Sequence, residues 1–185
     1  MKSTKITQLL SVLLIGGMMS CGSPAAKENN DAIAKNKAAM LKVQEAFSTG
    51  NLEGLENYVA ENMIEHSPDP MIKTTGLQGL KDAITTYRSG FPDMKVTSIT
   101  MVAEGDLVIG HINMKGTNTG AMGEGMPATG KTMDVNGVDI VRFENGKGVE
   151  HWGYWEEMKM MNQLGLMPPP GGAPADTSHS ATHSH

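Results

Sequence analysis

Up to about Ser89 the apolar residues recur every three or four positions; from Met94 onward they tend to alternate with polar ones. That change of period divides the chain into a helical part and a strand part. Ile33, Met40, Val43 and Phe47 share one helical stripe, predicting a helix over 31–48 with Asp31 as its cap and Gly50 as its stop. Leu52, Leu55 and Val59 predict a second helix over 52–60. Leu77, Leu80, Ile84 and Tyr87 predict a third over 76–89. Between these two, Met63 to His66 runs extended into Ser67-Pro68-Asp69-Pro70, whose prolines forbid helix. Strands are predicted over 94–102, from the Glu104-Gly105-Asp106 turn through His111 to Thr117, over 131–143 and over 149–155. The last two are joined through Asn145-Gly146, a pair that tolerates the positive φ of a tight hairpin. A short helix over 156–163 closes the series. Helices followed by a strand meander predict an α+β fold: a curved antiparallel sheet with three N-terminal helices, enclosing a cavity at the end the helices leave open.

Alternation sorts the candidate chemistry onto faces. On the strand 131–143, Met133, Val135, Gly137, Asp139 and Val141 point one way; on the last strand His151, Gly153 and Trp155 lie together, with Glu150, Trp152 and Tyr154 opposite. Asp139 is the charged member of an otherwise apolar face. A carboxylate there needs a partner or a raised pKa. It is either a general base or a structural aspartate bonded to His151 or to backbone N–H groups. His151, across the hairpin, is the candidate partner, and His66, after the second helix, a candidate polar contact. Phe47, Tyr87, Trp152 and Trp155 are candidate substrate-binding walls. The orientation of His111 is not fixed by the pattern. No pair among the three folded histidines has short ligand spacing, so neither a metal nor another cofactor is expected.

The two ends of the chain do not follow the folded pattern. Residues 1–20 carry Lys2 and Lys5 ahead of an apolar run, the layout of an export signal too short for a confident membrane span. It ends at Cys21, the sole cysteine, which is best explained as a lipid-attachment site. Residues 21–30 then form a small, polar tether and 31–168 the domain. Residues 169–185, rich in Pro, Gly, Ser and His, form a tail with too little apolar surface to pack. The expected location is therefore the cell envelope, exported and lipid-anchored. The net charge of −5 grows more negative by two when the leader's lysines are removed, which argues against nucleic acid as a partner. Sixteen methionines and the histidine tail invite a Cu(I) reading, but helical spacing of Met158 and Met161 fits core packing better.

Ordered motifs along residues 35–168 carry a family resemblance: Ala46-Phe47-Ser48-Thr49-Gly50, the His66 to Pro70 turn, Phe91-Pro92-Asp93 and Gly116-Thr117-Asn118-Thr119-Gly120. They continue with Pro127-Ala128-Thr129-Gly130, Arg142-Phe143, Gly146-Lys147, Glu150-His151-Trp152 and Gln163-Leu164-Gly165. In this order they resemble the SnoaL-like polyketide cyclases (ester cyclases), cone-shaped α+β barrels related to nuclear transport factors. The resemblance implies a small apolar or carbonyl-containing ligand in the cone, proton transfer or ring closure there, and a pocket-lining position for His66. It leaves homodimerisation open. Two departures bear on the chemistry. The family's acid/base aspartate, two residues after the position of His151, is Gly153 here. The polar residue of the preceding strand, often His in the cyclases, is Asp139. A glycine moves no proton, so a non-catalytic small-molecule binding lipoprotein is the competing reading.

Overall fold

The computed structural model describes residues 24–122 and 126–167. The leader, Cys21 and the tail 169–185 lie outside the described residues. Helix α1 spans Pro24–Thr49, seven residues longer at its start than its apolar stripe predicts. Residues 24–30 of the expected tether are thus helical, with Pro24 at a first-turn position where its missing N–H costs nothing. A 3₁₀ turn at Leu55–Asn57 stands where the second helix was expected. The reason lies in Gly54, left-handed (φ 73°) inside the expected span, which leaves room for only one turn between it and Val59. Leu55 still goes inward, packing with Ala46 of α1 and with Ile84, but Val59 belongs to the next element.

That element is strand β1, Val59–Glu65, followed by helix α2 (Gly76–Gly90) and strands β2 (Lys95–Glu104), β3 (Leu107–Thr117), β4 (Thr132–Glu144) and β5 (Lys147–Trp155). A short helix α3, Glu157–Leu164, ends the described chain. The fold is α+β, as the change of period requires. The sheet order is β1-β5-β4-β3-β2. All neighbours are antiparallel except β1, which runs parallel to β5 with Glu65 beside His151. The sheet is therefore mixed, and its parallel edge joins segments far apart in sequence.

Asn145 and Gly146 both adopt positive φ (52° and 77°) in the β4–β5 hairpin, as the Asn-Gly pair demands. Helices α1 and α2 cover one sheet face. Beneath them the core divides. One end is packed with Phe91, Met94, Met114, Met122, Met133, Val135 and Leu164, so these methionines fill a core, whereas Met158 on α3, expected to pack, is 68% exposed. Asn118, almost fully buried, pins the loop after β3: its amide donates to the carbonyls of Gly90 and Gly120, and its oxygen accepts from the Thr129 N–H. The other end is less densely filled, and it is there that the cavity opens.

Candidate functional site

A cavity of about 610 Å³ lies between α1, α2 and the sheet. Its walls are mostly apolar: Met40, Val43 and Phe47 from α1, Leu80 and Tyr87 from α2, and Ile112, Met114, Val141 and Phe143 from the sheet. This volume and lining suit a small organic molecule. Charged groups enter it from the adjoining strands β1, β5 and β4, as Glu65, His151 and Asp139.

His151 bridges the two carboxylates. Its Nδ1 lies 2.6 Å from Glu65 Oε2 and its Nε2 3.3 Å from Asp139 Oδ1. Burial alone pushes the imidazole pKa down. Hydrogen bonds and charge from Asp139 and Glu65 outweigh it and bring the value up to about 9. His151 is therefore an imidazolium at neutral pH, donating from both ring nitrogens, and cannot itself serve as a base. Glu65 loses solvation through burial, but the hydrogen bond and charge of His151 hold its carboxyl below the usual range. Asp139, with 13% of its side chain exposed, has the longer of the two bonds. Its second oxygen accepts no hydrogen bond from the described residues and is the one free to act on a ligand. Among those residues no group of His, Cys, Asp and Glu is arranged to hold a metal; the carboxylates sit at opposite nitrogens of one ring and do not converge.

Strand register explains the arrangement. Asp139 pairs directly with Gly153 on β5 and with Gly110 on β3, so glycines flank it on both neighbouring strands. A Cβ at Gly153 would stand 3.2 Å from His151 Cε1 and 3.3 Å from Trp155 Nε1. Trp155 in turn lies over Gly137, where any Cβ would run into its ring. Phe47 and Tyr87 meet edge to face, ring centroids 6.4 Å apart, on the opposite wall. The Tyr87 hydroxyl donates to Asp69 Oδ2 at 2.9 Å; burial first, and then the Asp69 charge, raises its pKa well above the ordinary phenol, so it stays protonated.

Of the residues singled out from sequence, Asp139, His151, Phe47, Tyr87 and Trp155 line this cavity. His66 and Trp152 do not. They lie on the far face of the sheet, rings stacked at 4.3 Å and 4°, with His66 bonded to Glu150 at 2.7 Å. The cause is strand parity: Glu65 faces the cavity, so His66 one residue later faces away, and Trp152 likewise follows His151. His111 alternates with the inward-facing Gly110 and Ile112 and also faces away. Glu65 was missed. Its signal was available in the apolar Met63 two residues earlier, which marks the inward face of β1.

The sequence profile described as SnoaL-like polyketide cyclase matches residues 37–164. No curated protein matches the chain. Among solved structures, TsrD from Streptomyces laurentii is similar at 25% identity with a TM-score of 0.66, over 72% of this chain and 97% of its own. IdmH from Streptomyces antibioticus, a proposed polyketide cyclase, is similar at 28% identity and a TM-score of 0.61, over 70% and 98%. AclR from Streptomyces galilaeus, a proposed hydroxylase, is similar at 25% identity and 0.61, over 77% and 86%.

Proposed function

The chain belongs to the SnoaL-like polyketide cyclase family, and from that premise we propose that its cavity binds a small carbonyl-containing molecule and removes a proton from the carbon beside the carbonyl. Asp139 is the base. The C–H proton passes to its free oxygen and the electron pair moves into the carbonyl to give an enolate. In a ligand with a second carbonyl, that carbon attacks it to close a ring, and the new alkoxide takes the proton back from Asp139. The His151 imidazolium orients Asp139, and Glu65 orients His151. The observation that carries this reading is the placement of Asp139. It sits in register beside Gly153, so the carboxylate missing from β5 is supplied one strand away and faces the same apolar cavity.

The test uses 2-acetylnaphthalene, whose size suits the cavity, in D₂O. Wild type is expected to exchange its methyl protons above the buffer rate, read by NMR, and Asp139→Asn to reduce exchange to background while binding the ketone within about tenfold of wild type, or 1.4 kcal/mol. Equal exchange by both proteins would sink Asp139 as the base.

A second reading, a binding module without chemistry, is favoured by Gly153 itself; ketone binding by wild type with no exchange above background would support it. For the chain's start we propose export and lipid attachment at Cys21, on the strength of the apolar leader that ends there. Cys21→Ser should move the protein into the soluble fraction with its melting temperature unchanged, and a mutant that stays with the membrane would place the anchor elsewhere.

A further inference from the structure

Gln44 plays no part in the trio, yet it is the most unusual polar group near it. It sits on the cavity side of α1, is 5% exposed, and lines the cavity. Among the described residues its Nε2 is the one buried side-chain nitrogen or oxygen with no hydrogen-bond partner. A buried amide donor left unpaired costs stability, and an apolar side chain of the same shape would avoid that cost. Its presence calls for an acceptor that none of the described protein groups supplies.

The surroundings point to where that acceptor goes. Gly110 on β3 has no side chain, and the place its Cβ would take is 3.6 Å from Gln44 Nε2 and 3.1 Å from Met40 Sδ. The glycine therefore lets α1 settle close against the sheet and brings the Gln44 amide down to strand level. Gly110 is also the direct cross-strand partner of Asp139. Paired residues on adjacent antiparallel strands have Cα atoms roughly 4.5–5.5 Å apart. A donor and a carboxylate thus stand over neighbouring residues of one ladder rung without bonding to each other. Two other polar groups of the cavity wall are engaged: the His151 ring, both nitrogens with carboxylates, and the Tyr87 hydroxyl, with Asp69. Met40, one turn before Gln44, holds its thioether against the same spot, and an unbranched thioether swings aside at little cost.

We propose that Gln44 receives the ligand's carbonyl oxygen. Its Nε2–H donates to that oxygen, polarises the C=O, and takes up the charge that develops when Asp139 removes the neighbouring proton. This rests on the reading that the cavity binds a carbonyl compound, and it specifies which end of the ligand meets α1: the oxygen at Gln44, the acidic C–H at Asp139. It also narrows the ligand class to molecules in which an acceptor oxygen and an enolisable carbon are adjacent. A pure hydrocarbon fills the apolar walls but leaves the donor unpaired.

The experiment compares 2-acetylnaphthalene with 2-isopropenylnaphthalene, the hydrocarbon of nearly the same shape, on wild type and Gln44→Met. Wild type is expected to bind the ketone about tenfold more tightly than the hydrocarbon. Gln44→Met should bind both equally, with its hydrocarbon affinity unchanged and its melting temperature in the absence of ligand equal to or above that of wild type. The infrared carbonyl stretch of the bound, ¹³C-labelled ketone adds a direct readout: lowered in wild type by the hydrogen bond, and back at its alkane-solution value in Gln44→Met. Should Gln44→Met fail to fold, Gln44→Leu gives the same two readouts. A substituted protein that keeps both the tenfold preference and the lowered stretch overturns the assignment of Gln44 while leaving the cavity reading intact. Failure of wild type to bind either compound overturns both.

Discussion

Strands β1, β5 and β4 present a histidine bonded to a carboxylate on each face of the sheet, and the two clusters differ by a single residue along β1 and β5. Facing the cavity are Glu65, His151 and Asp139. Facing away are His66, Glu150 and Trp152, with Arg142 of β4 completing the set. The outer set is internally saturated. His66 is stacked and bonded, and Glu150 also accepts from Arg142 at 2.6 Å, while Arg142 donates to Glu144 at 2.6 Å as well. The hydrogen bond from His66, and then that from Arg142, holds the Glu150 carboxyl below its usual range, but water and salt reach these groups and weaken what they do. The inner set has fewer bonds, includes the least exposed of these charged groups in Asp139 (13%), and keeps one carboxylate oxygen with no donor. Similar side chains thus form an ion-pair lattice on one face and, on the function proposed above, a base on the other. What distinguishes them is enclosure by α1 and α2, not residue type.

Matched amide substitutions should separate the faces most sharply. Asp139→Asn should lower proton exchange on the naphthyl ketone at least about a hundredfold, the range expected for losing a general base, whereas Glu150→Gln should leave it within about twofold. Exchange rates in D₂O measure both. Comparable losses from the two would mean that the enclosed face has no special chemistry.

A smaller effect is expected one step back from the ligand. Glu65 touches His151, not the cavity's reacting atoms, so it is a positioning residue. Glu65→Gln removes a hydrogen-bonded charge from Nδ1 and should bring the His151 pKa down from about 9. NMR titration of the ring would show the lowered midpoint, and exchange should slow about tenfold as the ring loses its fixed orientation. An unchanged titration would assign the elevated pKa to Asp139 alone.

Restoring the family's aspartate sharpens the comparison further. In Gly153→Asp the new Cβ meets His151 and Trp155 at 3.2 and 3.3 Å, contacts tight enough to push one of them aside. Because Asp139 already occupies the adjacent register position, the added carboxylate should lower ketone affinity about fivefold and bring no gain in exchange. A rise in exchange would show that β5, not β4, is the working position for the base.

Much of this was legible from sequence, and the limits have a physical origin. The β4–β5 hairpin was readable because Asn145-Gly146 dictates a local turn and because period-two alternation then fixes which side chains share a face. Asp139, His151 and Trp155 followed from that alone. Glu65 depends on a parallel pairing of β1 with β5, its bond to His151 spanning 86 positions, and no local signal records such a pairing. His66 was chosen by residue type; parity, readable from buried Met63, would have chosen Glu65. The second helix failed for a different reason, since a stripe of Leu52, Leu55 and Val59 fits helix or turn-then-strand equally, and only the left-handed Gly54 decides. Gln44 carries no sequence signal at all, because an unmet hydrogen bond exists only once the neighbours are in place.

The faintest expected difference between the faces is thermodynamic. His151 titrates near 9 in the folded protein and at about 6.5 in an unfolded chain. The folded state therefore binds the proton more tightly. Its contribution to stability is complete below pH 6.5 and is lost as pH rises through 9, because the unfolded chain gives up its proton first. The full difference would be on the order of 3 kcal/mol; with a quarter of the side chain open to solvent, a loss on the order of 1 kcal/mol between pH 7 and 9.5 is expected. Urea denaturation at a series of pH values measures it. In His151→Gln, stability should be lower throughout and nearly flat across that window, whereas Glu150→Gln on the outer face should keep the wild-type slope. If His151→Gln retains the slope, the alkaline loss arises elsewhere, and the imidazole is not held charged by its two carboxylates.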